Sequence, residues 1–133
     1  MALNESLQYR WLVENHVRLV TVKDNLTASA VHANDIETVA LMDKLSHPLH
    51  LVVDMRDLRS FPRLNEILNL RYLRHARMGW LLTIGAAHNP LTRFFLNAVG
   101  RITHVHYKDF DQLEDVASFL EEYDSSLKCN LVV

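Results

Sequence analysis

The chain has 133 residues, 49% hydrophobic and 23% charged, the composition of one soluble globular domain long enough to bury a core without disulfides or structural metals. Its net charge of −2 with histidine neutral provides no overall attraction for nucleic acid or an anionic membrane, and neither is expected as a partner. A single cysteine, Cys129, excludes an intrachain disulfide and favours a reducing, cytoplasmic compartment, in keeping with a start, MALNESLQYRW, that lacks the pattern of a secretion signal.

The chain opens with two runs rich in β-branched and aromatic residues, Tyr9 to Glu14 and His16 to Lys23, parted by Asn15, which predicts a hairpin. Asp24-Asn25-Leu26-Thr27 supplies turn and capping chemistry for a helix from Ala28 to Leu45, with Ile36, Val39 and Ala40 at inward spacing. Ser46-His47-Pro48 ends it, because proline cannot continue the helical ladder. Leu49, Leu51, Val52 and Val53 form the continuous apolar run of a central parallel strand, expected to stop at Asp54. A charged loop over 54–63 then leads through Pro62 into a helix over 64–75.

Trp80 to Ile84 is the next expected strand, stopped by Gly85, and Pro90 suits the first turn of the following helix. In that helix Leu91, Phe94, Phe95, Ala98, Val99 and Ile102 follow the 3.6-residue period and are expected to face the core. His104 to Tyr107 reads as a last short strand, and Asp111-Gln112-Leu113-Glu114 as a capping-box-like start to a helix with Leu113, Val116, Ala117 and Leu120 inward. The resulting order, ββαβαβαβα, predicts an α/β fold with a mostly parallel sheet of about five strands and about four helices. One domain spans 1–133, with its core over about 9–124. The tail over 125–133 ends in Leu131-Val132-Val133, too apolar to be purely solvated, and is expected to dock on its own domain or a neighbour.

The segments VVDMRDLRSFP, RMGWLLTIG and HYKDFDQLEDVASFLEEYD, taken with the element order, resemble SpoIIAA-like proteins of the STAS (sulfate transporter and anti-sigma factor antagonist) superfamily over residues 9 to 124. The resemblance implies a sheet wrapped by about four helices and a non-enzymatic module that binds partner proteins or small ligands. In the anti-sigma factor antagonists a partner kinase phosphorylates a serine at the start of the helix after the third strand. Here Pro62-Arg63 falls at that place, with Ser60 nearby in the expected loop, so the resemblance does not extend to the switch.

Between 56 and 77 six arginines, Arg56, Arg59, Arg63, Arg71, Arg74 and Arg77, outnumber Asp57 and Glu66. Arginine suits planar recognition of carboxylate or phosphate, although a charge run is most often a solvated face. The helix over 64–75 carries more apolar residues than one stripe can hold, so Leu70 and Leu73, beside Arg74, mark an expected protein interface, self-association as a dimer included. Ligands of open α/β sheets bind at the carboxyl ends of the parallel strands, which adds Asp54, His88 and Asn89 to Arg56, Arg59, Ser60 and Arg63 as candidate binding residues. No catalytic residue is assigned: Ser60, His88 and Asp54 lack a nucleophile elbow. No metal or cofactor is expected, since His104-x-His106 supplies two ligands where zinc takes three or four. The leading expectation is therefore a partner-binding or regulatory module acting through 54–63 and 64–75. Its competitor is a carrier or sensor of a small anionic or acyl ligand at the same elements, favoured by a closed apolar cavity over a convex apolar face.

Overall fold

The structure, a computed structural model, describes residues 7–60 and 63–132. Its elements in chain order are β1 (Leu7–Val13), β2 (Val17–Asn25), α1 (Ala28–Lys44), β3 (Leu49–Ser60), α2 (Leu64–Leu68), β4 (Met78–Ile84), α3 (Pro90–Thr103), β5 (Tyr107–Phe110) and α4 (Leu113–Tyr123), with short 3-10 turns at Tyr72–Arg74 and Ala86–His88. The order is the ββαβαβαβα expected from periodicity. The strands lie in one sheet in the order β1-β2-β3-β4-β5, with β1 antiparallel to β2 and every other pair parallel. Asn15 makes the first hairpin by taking a left-handed φ of 63°, which its short polar side chain tolerates. Because each crossover advances one strand in the same direction, right-handed connections place α1, α2 and α3 on one face and leave the other to α4.

Alternation along β3 serves both layers at once. Leu49 and Leu51 pack with Val31 and Met42 of α1 and with Leu96 and Val99 of α3. Val52 faces the opposite side, with Leu82, Ile84, Val116 and Leu120. This double coverage explains the unbroken apolar run. The tail docks on its own domain: Leu127 is buried in the α4 layer, the Asn130 amide donates to the Leu12 carbonyl at 2.7 Å, and Arg10 reaches the carbonyls of Asn130 and Val132. It thereby covers the edge of β1 that would otherwise be unpaired.

Several expectations are corrected. β3 does not end at Asp54 but runs on to Ser60, pairing with the outer half of β2 through Asp57, Leu58 and Ser60. Over 55–60 the charged stretch expected as a loop is thus half of a two-stranded ribbon beyond the end of β4, with Arg56, Asp57 and Arg59 exposed. The helix over 64–75 is broken into the single-turn α2 and the 3-10 turn at Tyr72–Arg74. Pro62, expected at the helix start, lies with Phe61 outside the described residues. The last strand is shifted to Tyr107–Phe110, because His104 takes a left-handed φ of 61° as the C-cap of α3. α4 starts after Gln112, which makes no side-chain capping bond.

The two long helices on the first face are rotated relative to the pattern of their apolar residues. α1, capped by the Thr27 hydroxyl accepting from the Ala30 amide, buries Val31, Asp35, Thr38 and Met42 while Ile36 and Ala40 are exposed. α3 buries Thr92, Leu96, Val99 and Thr103 and turns Leu91, Phe94 and Ile102 to solvent. Gly100 reveals the reason: a Cβ there would sit 2.2 Å from the Tyr107 ring. The glycine side of α3 is where helix and sheet approach most closely.

His50 on β3 is buried, and its Nδ1 accepts the Trp80 amide at 2.9 Å. A ring nitrogen therefore does the work of a backbone carbonyl in holding β4. Burial lowers the pKa of His50, and His16 and His47 act in the same direction against the opposing pull of Asp124. A histidine whose folded pKa lies below the unfolded value of about 6.5 keeps its full contribution above that pH and loses it as pH falls through the lowered value. Urea unfolding should accordingly give lower stability at pH 5 than at pH 7.5, with a smaller difference in His50→Gln; an equal pH response in both proteins would remove His50 as the source.

Candidate functional site

Between the sheet and the layer of α1, α2 and α3 lies a partly open cavity of about 90 Å³. Its floor is Val20 and Val22 of β2, Leu51 and Val53 of β3, and Leu81 and Thr83 of β4; α1 contributes Val31, Asn34 and Thr38, and α3 contributes Thr92, Leu96 and Val99. Leu70, Tyr72 and Leu73 close it from the 64–75 segment. A water molecule needs only about 10–15 Å³ on this kind of measure, so the space holds more than a single water. Of its few polar groups, the Thr83 hydroxyl donates to Asp109 at 2.6 Å and the Thr38 hydroxyl to Asn34 at 3.4 Å. What remains is an apolar chamber suited to an apolar guest.

Two carboxylates hold its walls in place, Asp35 buried and Asp109 half-buried. Asp35 accepts the amides of Arg71 and Tyr72 at 2.9 and 3.1 Å through one oxygen and lies 3.5 Å from the Arg71 guanidinium through the other. It thereby fastens the 3-10 turn to α1. The Tyr72 phenol is pushed far up by burial, with Asp35 and Tyr9 adding to the effect, and stays protonated. Asp109 accepts from Thr83, Ala86 and Ala87 and so fixes the chain as it leaves β4. At the β1 side, Arg18 is buried over the Tyr9 ring at 4.2 Å and pairs with Glu37 of α1 at 2.7 Å.

A second pocket, of about 250 Å³, lies outside the cavity and is lined by Leu58, Arg59, Ser60, Asn89, Leu91, Thr92 and Phe95. Leu58, Thr92 and Phe95 also line the inner cavity, so these three side chains form the partition between the two spaces. The outer pocket stands at the carboxyl ends of the strands.

The residues expected from sequence distribute unevenly over this arrangement. Arg59, Ser60 and Asn89 meet in the outer pocket. Leu70 and Leu73 line the inner cavity and are 6% and 3% exposed, which overturns their expected place on an interface. Asp54 and Arg56 are locked together: the Arg56 guanidinium forks onto both Asp54 oxygens at 3.0 and 2.7 Å, and its amide adds a third bond. Burial alone would raise the Asp54 carboxyl, but those hydrogen bonds outweigh it and hold the group below its usual range. Gly85, at φ 81°, lets the Arg56 chain lie against the backbone, where a Cβ would come within 2.7 Å of Arg56 Cγ. Arg56 is therefore committed to a structural pair, and Arg63 lines neither pocket, so the expected convergence of Arg56, Arg59 and Arg63 does not occur. Arg74 binds the Leu68 carbonyl and borders a crevice with His75, His104 and His106 at the opposite end of the sheet. His88 pairs with Asp111 at 3.5 Å and the Ser60 hydroxyl donates to Asn25 at 2.8 Å. Ser60, His88 and Asp54 thus each have a different partner.

Asp35, Thr38, Thr83 and Thr92 are the site residues that sequence reasoning passed over. Gly100 is the one signal that marks the inward side of α3, and no comparable signal marks that of α1. Among the described residues no group of three or more His, Cys, Asp or Glu could hold a metal ion, and no helix is long and apolar enough to cross a membrane.

No family model and no curated protein matches the chain. Among solved structures it is similar to a protein of the DUF3478 family from Shewanella loihica PV-4 with a SpoIIAA-like fold, at 13% identity and a TM-score of 0.64, over 86% of this chain and 91% of that one. The five-stranded, mostly parallel sheet with α1 to α3 on one face and α4 on the other is a SpoIIAA-like, STAS-type fold.

Proposed function

We propose that this protein is a non-enzymatic carrier or sensor that shelters a small acyl-type ligand between its sheet and the α1–α3 layer. The observation that carries the reading is the apolar cavity, whose lining comes from every element on that face. A void of this kind loses dispersion contacts on all sides, so a guest that restores them stabilises the folded chain. A protein-partner reading keeps one specific support, the outward row of Leu91, Phe94 and Ile102 on α3.

Native mass spectrometry of protein purified from its own cells tests the proposal. The expected result is a folded species carrying a small retained molecule, lost in Val99→Phe and in Leu51→Phe, each of which fills the void from a different wall. Retention of the same molecule in both variants, with native-like circular dichroism, would place it elsewhere and overturn the reading.

A further inference from the structure

The inner cavity and the outer pocket differ in chemistry and share a wall. Leu58, Thr92 and Phe95 belong to both. Inside them the lining is largely apolar, with the Thr38 and Thr83 hydroxyls bonded internally; outside them stand Arg59 and Asn89. We propose, building on the carrier reading above, that the ligand is a carboxylate-headed amphiphile whose tail lies in the cavity and whose head sits in the outer pocket on Arg59 and Asn89.

The charges present select this head group. The Asn89 side-chain oxygen is taken by the Leu91 and Thr92 amides, which leaves its amide nitrogen as a donor. The Ser60 hydroxyl is spent on Asn25, so it adds no donor. Arg59 is the pocket's cation. Its Nε lies 3.8 Å from an Asp24 oxygen, with the two side chains 79% and 73% exposed, a long and solvated pair of the kind that contributes little. Its guanidinium is thus free to exchange Asp24 for another carboxylate, whose planar shape matches the arginine fork. A dianionic phosphate would meet a single positive charge with Asp24 beside it, whereas a monoanion balances Arg59 one for one. Arg63 lines neither pocket and takes no part.

The probes are hexanoate and hexanol, equal in tail length, titrated by calorimetry into the full chain. Hexanoate should bind more tightly than hexanol. Arg59→Ala should weaken hexanoate about tenfold, the lower end for a charge-assisted hydrogen bond at an exposed site, and leave hexanol unchanged. Asp24→Asn should tighten hexanoate, because it removes the competing carboxylate; asparagine tolerates the left-handed φ of 55° at that position. Arg63→Ala should bind both as the parent does. Equal affinities for the two probes in the parent protein, or unchanged hexanoate binding in both Arg59→Ala and Asp24→Asn, would overturn the head-group assignment while leaving the cavity reading intact. Binding of neither probe would overturn the cavity reading itself.

Discussion

Replacing Asp35 by alanine should lower the unfolding free energy by about 3 kcal/mol, among the largest losses available to a single polar side chain here. Its carboxylate is buried and accepts two backbone amides from the 3-10 turn, those of Arg71 and Tyr72. Alanine leaves both donors without a partner, the Tyr72 amide buried and the Arg71 amide partly so, and each unsatisfied buried group costs about 1–3 kcal/mol. Asp35→Asn keeps an acceptor oxygen and should lose less than half as much. The same change should loosen the wall made by Leu70, Tyr72 and Leu73, so that the amides of Arg71 and Tyr72 exchange with solvent faster than those of β3. Urea unfolding together with hydrogen exchange measures both effects. Equal stability of Asp35→Ala and the parent would mean that the turn is not fastened to α1 through this residue.

On α3, Leu96→Ala should cost about 2–3 kcal/mol and Phe94→Ala less than about 0.5 kcal/mol. Leu96 is 7% exposed and borders the cavity, whereas Phe94 is 59% exposed. The estimate for Leu96 stays near the lower end of the range for buried leucine because its neighbours already enclose a void into which they can relax. Had the helix faced the sheet with its most regular apolar row, the two costs would be reversed. Chemical denaturation of the two variants separates these orientations.

Element order was legible because it depends on local signals: the turn at Asn15, the Thr27 cap, the stop at Pro48, the apolar run of β3, and Pro90 at the start of α3. Orientation was legible for α4, whose Val116 and Leu120 are buried as expected, but not for α1 and α3. The inward sides of α1 and α3 carry Asp35, Thr38, Thr92 and Thr103, and an amphipathic reading places such residues outside. Asp35, Thr38 and Thr103 are tolerated within because hydrogen bonds satisfy them, as with Thr103 donating to the Val99 carbonyl at 2.6 Å. The 54–63 stretch misled for a related reason. Its alternating charges occupy the open face of a ribbon that only β2 pairs, while Met55 and Leu58 turn toward the cavity. Asn89 was reachable from the rule that ligands bind at strand ends, and Arg59 from the run of arginines over 56–77. The cavity beneath them was not, since an unfilled volume is a property of packing between distant segments and has no residue of its own.

Methyl-resolved NMR during titration with benzene, a compact apolar guest of the kind that dry cavities admit, tests the central claim most directly. The account predicts saturable shifts at Leu51, Leu81 and Val99, on both the floor and the roof of the chamber, with the exposed methyls of Ile36 and Ile102 unmoved. Shifts confined to such exposed methyls, or no saturable shift at any methyl, would contradict an internal ligand site.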